Sequence, residues 1–323
     1  MMEVKESELC FPHLHNSSCR KPPSHTSEAH ITLVLLVFMS VTITLLNLLV
    51  IISIAHFRQL HSSTNLILLS LAVSDFLVGF VMTPVFAYTM TSCWYFGDIP
   101  CVLHYVVTSI AVVASIGSIV LISIDRYLAI SDPLHYCIKM SRKVVNISIS
   151  ICWINAFLFT VIIMVENWFN LGAYKSCHGE CVVHFYKEVD LVWAFVIPIS
   201  IIIILYARVF VIAVSQARAM RSHVTAEKSK NTKKSETKAA KNLGIVVLIY
   251  LLCYCPYYCV TYADIVFVSL DSPVQIFLLC LIYINSGLNP LIYTMIYPWF
   301  RKATKLIVTL QILRSGSRDF LVL

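Results

Sequence analysis

Seven apolar runs constrain this chain more than any other feature, at residues 31–56, 66–90, 103–128, 145–167, 188–213, 242–268 and 273–296. Each is about 20 residues or more with few internal charges, the length a helix needs to cross a hydrocarbon layer roughly 30 Å thick. Nothing in lipid can satisfy a bare backbone N–H or C=O, so runs of this kind span as helices. The chain therefore reads as an all-α membrane protein, a bundle of seven transmembrane helices. Composition agrees, with 59% hydrophobic and 13% charged residues against roughly 25% charged in soluble domains.

An odd number of spans puts the two termini on opposite sides. Lys and Arg collect in the first connection (Arg58), the third (Arg142, Lys143), the fifth (217–241, with Lys228, Lys230, Lys233, Lys234, Lys238 and Lys241) and after the seventh span (Arg301, Lys302). By the positive-inside rule these segments are cytosolic. The leader and even-numbered connections carry Glu3, Glu6, Glu8, Asp98, Glu180 and Asp271 and face outward. Three regions follow: an extracellular leader (1–30), the bundle (31–300), and a cytosolic tail with a short amphipathic helix (301–323). The leader lacks the basic start, apolar centre and small-residue cleavage site of a signal peptide, so the first span is expected to direct its own insertion. Asn16-Ser17-Ser18 is a glycosylation sequon on the outer side.

Several function classes lose support here. The net charge of +7 sits in short connections between apolar runs, so nucleic acid is not the expected partner. No inverted repeat of the transporter kind is visible, and seven spans do not halve. An intramembrane enzyme needs paired catalytic residues at matching depth, and neither two aspartates so matched in adjacent spans nor a His-Glu-x-x-His run occurs.

Charged and amide side chains are costly in a bilayer and mark function by default. Here they are Asn47, Asp75, Asp125-Arg126, Asp190, Asn285 and Asn289. With Leu71-Ala72-Val73-Ser74-Asp75, Asp125-Arg126-Tyr127, Trp153, Pro198, Tyr206, Cys253, Pro256 and Asn289-Pro290-Leu291-Ile292-Tyr293, they occur in order over all seven spans. The chain thereby resembles the rhodopsin-like G-protein-coupled receptors. The stretch Asn285-Ser286-Gly287-Leu288-Asn289-Pro290 through Tyr297-Pro298-Trp299-Phe300 is similar to the fingerprint of the trace amine-associated receptors. That resemblance implies a plasma-membrane receptor of volatile amines, coupled through a stimulatory heterotrimeric G protein to cyclic AMP, with lipid as solvent and no required cofactor. An orphan or decoy receptor not gated by amines is the alternative.

The resemblance also implies roles. Asp125, Arg126 and Tyr127 form a cytosolic switch in which Arg126, once released, would meet Tyr206 or a G-protein helix. Pro256 and Pro290 each delete a helical hydrogen bond and create hinges, with Tyr293 beyond the second; Tyr254 stands where many relatives carry Trp. Asp75, Ser115, Asn285 and Asn289 bring oxygen atoms enough for an allosteric sodium ion, or for a hydrogen-bonded polar cluster. The Lys-rich connection is a solvated loop or a G-protein contact. Cys101 is expected to pair with Cys181, which immediately precedes the run into span five, and Cys177 with Cys19 rather than Cys10.

Amine receptors generally hold the ammonium with an Asp seven residues after the cysteine that opens span three. Counting from Cys101 reaches Thr108, which cannot neutralise a cation. Span five supplies a carboxylate instead: Asp190 lies eight residues before Pro198, a little over two helical turns outward, where a fish subgroup of the resembled family carries its amine-holding Asp. A structural ion pair with Lys187, three residues away, is the competing role. Around Asp190 the pocket is expected to include Thr108, Ser109, Val112, Trp193, Tyr257, Tyr258 and Tyr283, whose aromatic faces suit an ammonium. Glu166 and Asp264 read as rim charges.

Overall fold

The computed structural model describes residues 9–14, 16–22, 27–222, 248–262, 273–320 and 322. Among these, seven helices form the bundle: α1 (Ser27–His56), α2 (Ser63–Thr91), α3 (Asp98–Ser131), α4 (Arg142–Phe169), α5 (Lys187–Ser222), α6 (Leu248–Tyr262) and α7 (Pro273–Ile296). A further helix, α8 (Pro298–Val308), follows α7 and buries Trp299, Phe300 and Ala303. The Lys-rich connection, Asp264 and Asp271 lie wholly or largely outside the described residues.

Two helices are not regular. In α2 a π turn at Val78–Met82 precedes Pro84, and in α5 a π segment at Leu191–Val196 precedes Pro198. A proline lacks the N–H that would close the helical ladder, and a widened turn just before it absorbs the mismatch. Gly79, in the first π turn, lies so close to α1 that an added Cβ would sit 2.8 Å from Ile43 and from the backbone of Thr44. Its carbonyl accepts the Ser40 hydroxyl at 2.8 Å, locking α1 to α2.

α3 is the bundle's axis. Its buried residues Ala111, Ser115, Ser118, Ile122 and Asp125 recur every four and three positions, a stripe facing the interior. Continued outward at the same spacing, the stripe passes Thr108 and His104 and reaches buried Cys101.

The outer face is laced by three disulfides. Cys101 joins Cys181, Cys19 joins Cys177, and Cys10 joins Cys93, a pairing that the sequence did not suggest. The leader also exchanges backbone hydrogen bonds with the second outer loop, Cys19 N–H to His178 O at 2.9 Å and His178 N–H to Ser17 O at 2.7 Å. The remaining cysteines, Cys137, Cys152, Cys253, Cys255, Cys259 and Cys280, are free thiols.

Candidate functional site: a carboxylate pocket above a closed cytosolic lock

Asp190 is carried at the junction between the first turn of α5 and its π segment. Its carboxylate accepts one side-chain hydrogen bond, from the Tyr258 hydroxyl of α6 at 3.3 Å. Among the described residues no cation lies within ion-pair distance of it, so the Lys187 pair does not form; Lys187 instead accepts the Tyr262 hydroxyl at its backbone carbonyl. Tyr258 is buried and stacks on Phe195 with ring centroids 4.5 Å apart. Tyr257 meets Tyr258 edge to face at 5.3 Å and lies within electrostatic reach of both Asp190 and Tyr105 of α3. Tyr283 of α7, also buried, reaches Tyr105 and Tyr257 electrostatically and packs edge-on to Phe86 at 5.6 Å. Val112 packs against the cluster that contains Tyr254, Tyr258 and Tyr283. Thr108 turns a buried hydroxyl inward that has no hydrogen-bond partner.

Two expected pocket residues sit elsewhere. Ser109 accepts the Thr160 hydroxyl at 3.0 Å and so belongs to the seam between α3 and α4. Trp193 is 44% exposed and stacks on Phe159 of α4 at 6.0 Å. The reason lies in the π segment: one extra residue per turn breaks the 100° step on which the helical wheel depends, and Trp193 lies inside it. Glu166 does sit at the rim, accepting hydroxyls from Tyr174, at 3.0 Å, and from Tyr186. That carboxylate pushes both tyrosines' ionisation upward.

Deeper in the bundle lies a fully buried carboxylate. Asp75 accepts Ser115 Oγ at 2.8 Å and Asn289 Nδ2 at 2.7 Å, and Ser286 hydrogen-bonds to it as well. Asn47 Nδ2 donates to the Ser286 carbonyl at 3.0 Å, tying α1 into the cluster. Of the expected oxygen ligands, Asn289 presents its amide nitrogen and acts as a donor, whereas Asn285 Nδ2 is buried without a partner. Asp75 and Ser115, with Ser286 beside them, remain as a hard oxygen set of the kind that suits a small cation. Tyr254 is buried nearby and packs on Tyr250 at 4.7 Å, whose hydroxyl reaches the Ala194 carbonyl of α5 at 3.4 Å. An aromatic pair thus links α6 to α5 where Trp was absent.

At the cytosolic end Arg126 is held. Its Nε donates to Asp125 Oδ2 at 2.9 Å, a second guanidinium nitrogen also contacts that oxygen, and Nη2 donates to Thr64 Oγ1 at 2.8 Å. Tyr136 donates to Asp125 Oδ1 at 2.7 Å. Thr64 and Tyr136, which the sequence did not single out, complete this lock. Tyr206 and Tyr127 are half-buried and do not bond Arg126, and the Tyr293 hydroxyl is buried without a partner among the described residues. Beside the lock, Lys139 and His135 hold the Asp132 carboxyl down at about 2, so the second cytosolic loop keeps this anion throughout the physiological range.

This geometry, a seven-helix bundle with a tyrosine-flanked carboxylate toward its outer end, a polar midpoint and an arginine lock on the cytosolic side, is that of a membrane receptor. Residues 46–293 match the family model of the seven-transmembrane receptors of the rhodopsin family. Trace amine-associated receptor 8a of Rattus norvegicus is 36% identical, covering 96% of this chain and 95% of its own length. Trace amine-associated receptor 13c of Danio rerio is 36% identical over 98% and 96%, and trace amine-associated receptor 6 of Homo sapiens 37% identical over 96% and 94%. The chain belongs to the trace amine-associated receptors, a multi-pass plasma-membrane family of the rhodopsin class without enzymatic activity. These identities do not separate fish from mammalian relatives.

Proposed function

We propose that the receptor is gated by small amines, that Asp190 is the counter-ion of the ligand ammonium, and that the activated receptor signals through a stimulatory G protein to cyclic AMP. The observation that carries this reading is Asp190 itself. It is a carboxylate at pocket depth, surrounded by tyrosine faces, with one hydrogen bond and no cation among the described residues. A half-buried anion without a countercharge is costly, and a ligand ammonium supplies both charge and hydrogen bonds. Tyr257, Tyr258 and Tyr283 add ring surface for the cation and its alkyl groups. The hold of Asp125, Thr64 and Tyr136 on Arg126 supports reading this arrangement as the resting side of a two-state switch. Ligand at Asp190 and Tyr258 draws on α5 and α6 together, the helices that the Tyr250–Ala194 bond also couples.

Asp75 and Ser115 are proposed to hold a sodium ion that favours the resting state; the ion would supply a countercharge to Asp75. Glycosylation of Asn16 is proposed on the same footing.

The test is a cyclic AMP reporter in cells that display the receptor, challenged with mono- and diamines. A concentration-dependent rise with at least one amine, lost in Arg126→Ala at equal surface display, is expected. Silence across the panel, or undiminished output from Arg126→Ala, contradicts the reading.

A further inference from the structure

The outer part of the α3 stripe carries two polar demands that nothing among the described residues meets. Thr108 Oγ1 and His104 Nδ1 are both buried and both lack a hydrogen-bond partner. They are four residues apart on one helix, which stacks them on the same face. That face is the interior one, since Cys101, His104, Thr108, Ala111 and Ser115 follow one alternation of three and four. Native proteins pair the large majority of such atoms, and one left over calls for a partner that the protein itself does not supply. Two on adjacent turns of the pocket wall ask for one group between them.

We infer that Thr108 and His104 form a second ligand subsite that takes a hydroxyl, so that the preferred agonist is an amine carrying an alcohol or phenol at its far end. This rests on the reading of Asp190 as the ammonium's partner. The chemistry of the two atoms selects the group. A threonine hydroxyl both donates and accepts, and an imidazole nitrogen without its proton accepts. One ligand hydroxyl can donate to His104 Nδ1 and accept from Thr108 Oγ1. A second ammonium would find acceptors here but no carboxylate among Cys101, His104, Thr108, Ala111 and Ser115, the outer part of the stripe, and would stay desolvated and uncompensated. A ligand carboxylate would find one hydroxyl donor and no guanidinium or ammonium. A methyl would leave both atoms unmet, the situation in which a hydrogen-bonding site rejects an analogue most strongly.

The experiment uses the full-length receptor in a reporter assay, with three probes of equal chain length: an n-alkylamine, the terminal amino alcohol and the terminal diamine. The amino alcohol is expected to be about 10- to 100-fold more potent than the alkylamine, the scale of two hydrogen bonds made to otherwise unpaired atoms. Thr108→Val combined with His104→Phe should bring that ratio near one, while Thr108→Ser should keep it, each at matched surface display. An alkylamine or diamine as potent as the amino alcohol on the wild type overturns the inference, as does a ratio unmoved by the double substitution. Asp190→Asn separates the two levels. If it weakens all three probes while they stay equipotent on the wild type, the amine reading stands and this inference falls.

Discussion

Two carboxylates inside the bundle, the buried Asp75 and the half-buried Asp190, show what this fold does with charge. Asp75 is wholly enclosed and accepts from Ser115, Asn289 and Ser286, residues contributed by two helices other than its own. Asp190 has Tyr258 alone, at 3.3 Å. The first anion's needs are met within the protein and so hold helices together; the second anion's needs are left for something that arrives. A low-dielectric interior raises the stakes in both places, but only the second has spare acceptor capacity facing a pocket.

Neutralising each carboxylate is expected to separate them. Asp190→Asn keeps shape and loses charge, and truncating one side of a buried charge pair costs about 2–5 kcal/mol, a loss of roughly 30- to several-thousand-fold in agonist potency. Asp75→Asn should move agonist affinity less than about tenfold, because the one remaining oxygen can still accept from Asn289 while the Ser115 hydroxyl turns to accept from the new amide nitrogen. Equal losses in competition binding would erase the distinction. Adding a carboxylate at the unmet position, Thr108→Asp, should shift preference toward diamines by about tenfold or more, since both ammoniums then find an anion; a panel whose rank order does not change would count against Thr108 facing the ligand. Raising sodium should weaken agonist potency a few-fold in the wild type and not in Asp75→Asn, as expected of an ion that favours one of two states. Sodium dependence that survives Asp75→Asn removes the proposed ion from this cluster. The smallest effect belongs to Lys187→Ala, within about threefold of wild type, because exposed charges near but not paired with an anion contribute little. A loss matching that of Asp190→Asn would restore the ion-pair role.

Much of this architecture was legible in the sequence because a bilayer leaves few options. Span number, orientation and the positions of Asp75, Arg126 and Asn289 follow from length, basic connections and the rarity of polar residues in lipid. The helices outrun the apolar runs, α3 covering Asp98–Ser131 rather than 103–128, since polar residues continue a helix beyond the hydrocarbon. Trp193 and Ser109 were misplaced for different reasons: a π segment is invisible to a regular wheel, and Ser109 lies one step off the stripe that faces inward. Cys10–Cys93 was out of reach, because six outer cysteines allow 15 pairings and only the fold chooses among them. His104 was within reach, because a histidine inside a membrane span is itself a signal, as the acids and amides are.

The central claim is a charge interaction between Asp190 and a ligand ammonium, and a coupling cycle measures it most directly. The most potent amine found in the reporter panel and its neutral isostere, with carbon replacing the ammonium nitrogen, are compared as competitors on wild type and Asp190→Asn at equal surface display. The amine should lose about 30-fold or more and the isostere less than about threefold, so that the difference isolates the charge pair. An amine whose affinity is unchanged by Asp190→Asn, or two ligands that weaken equally, would contradict Asp190 as the counter-ion.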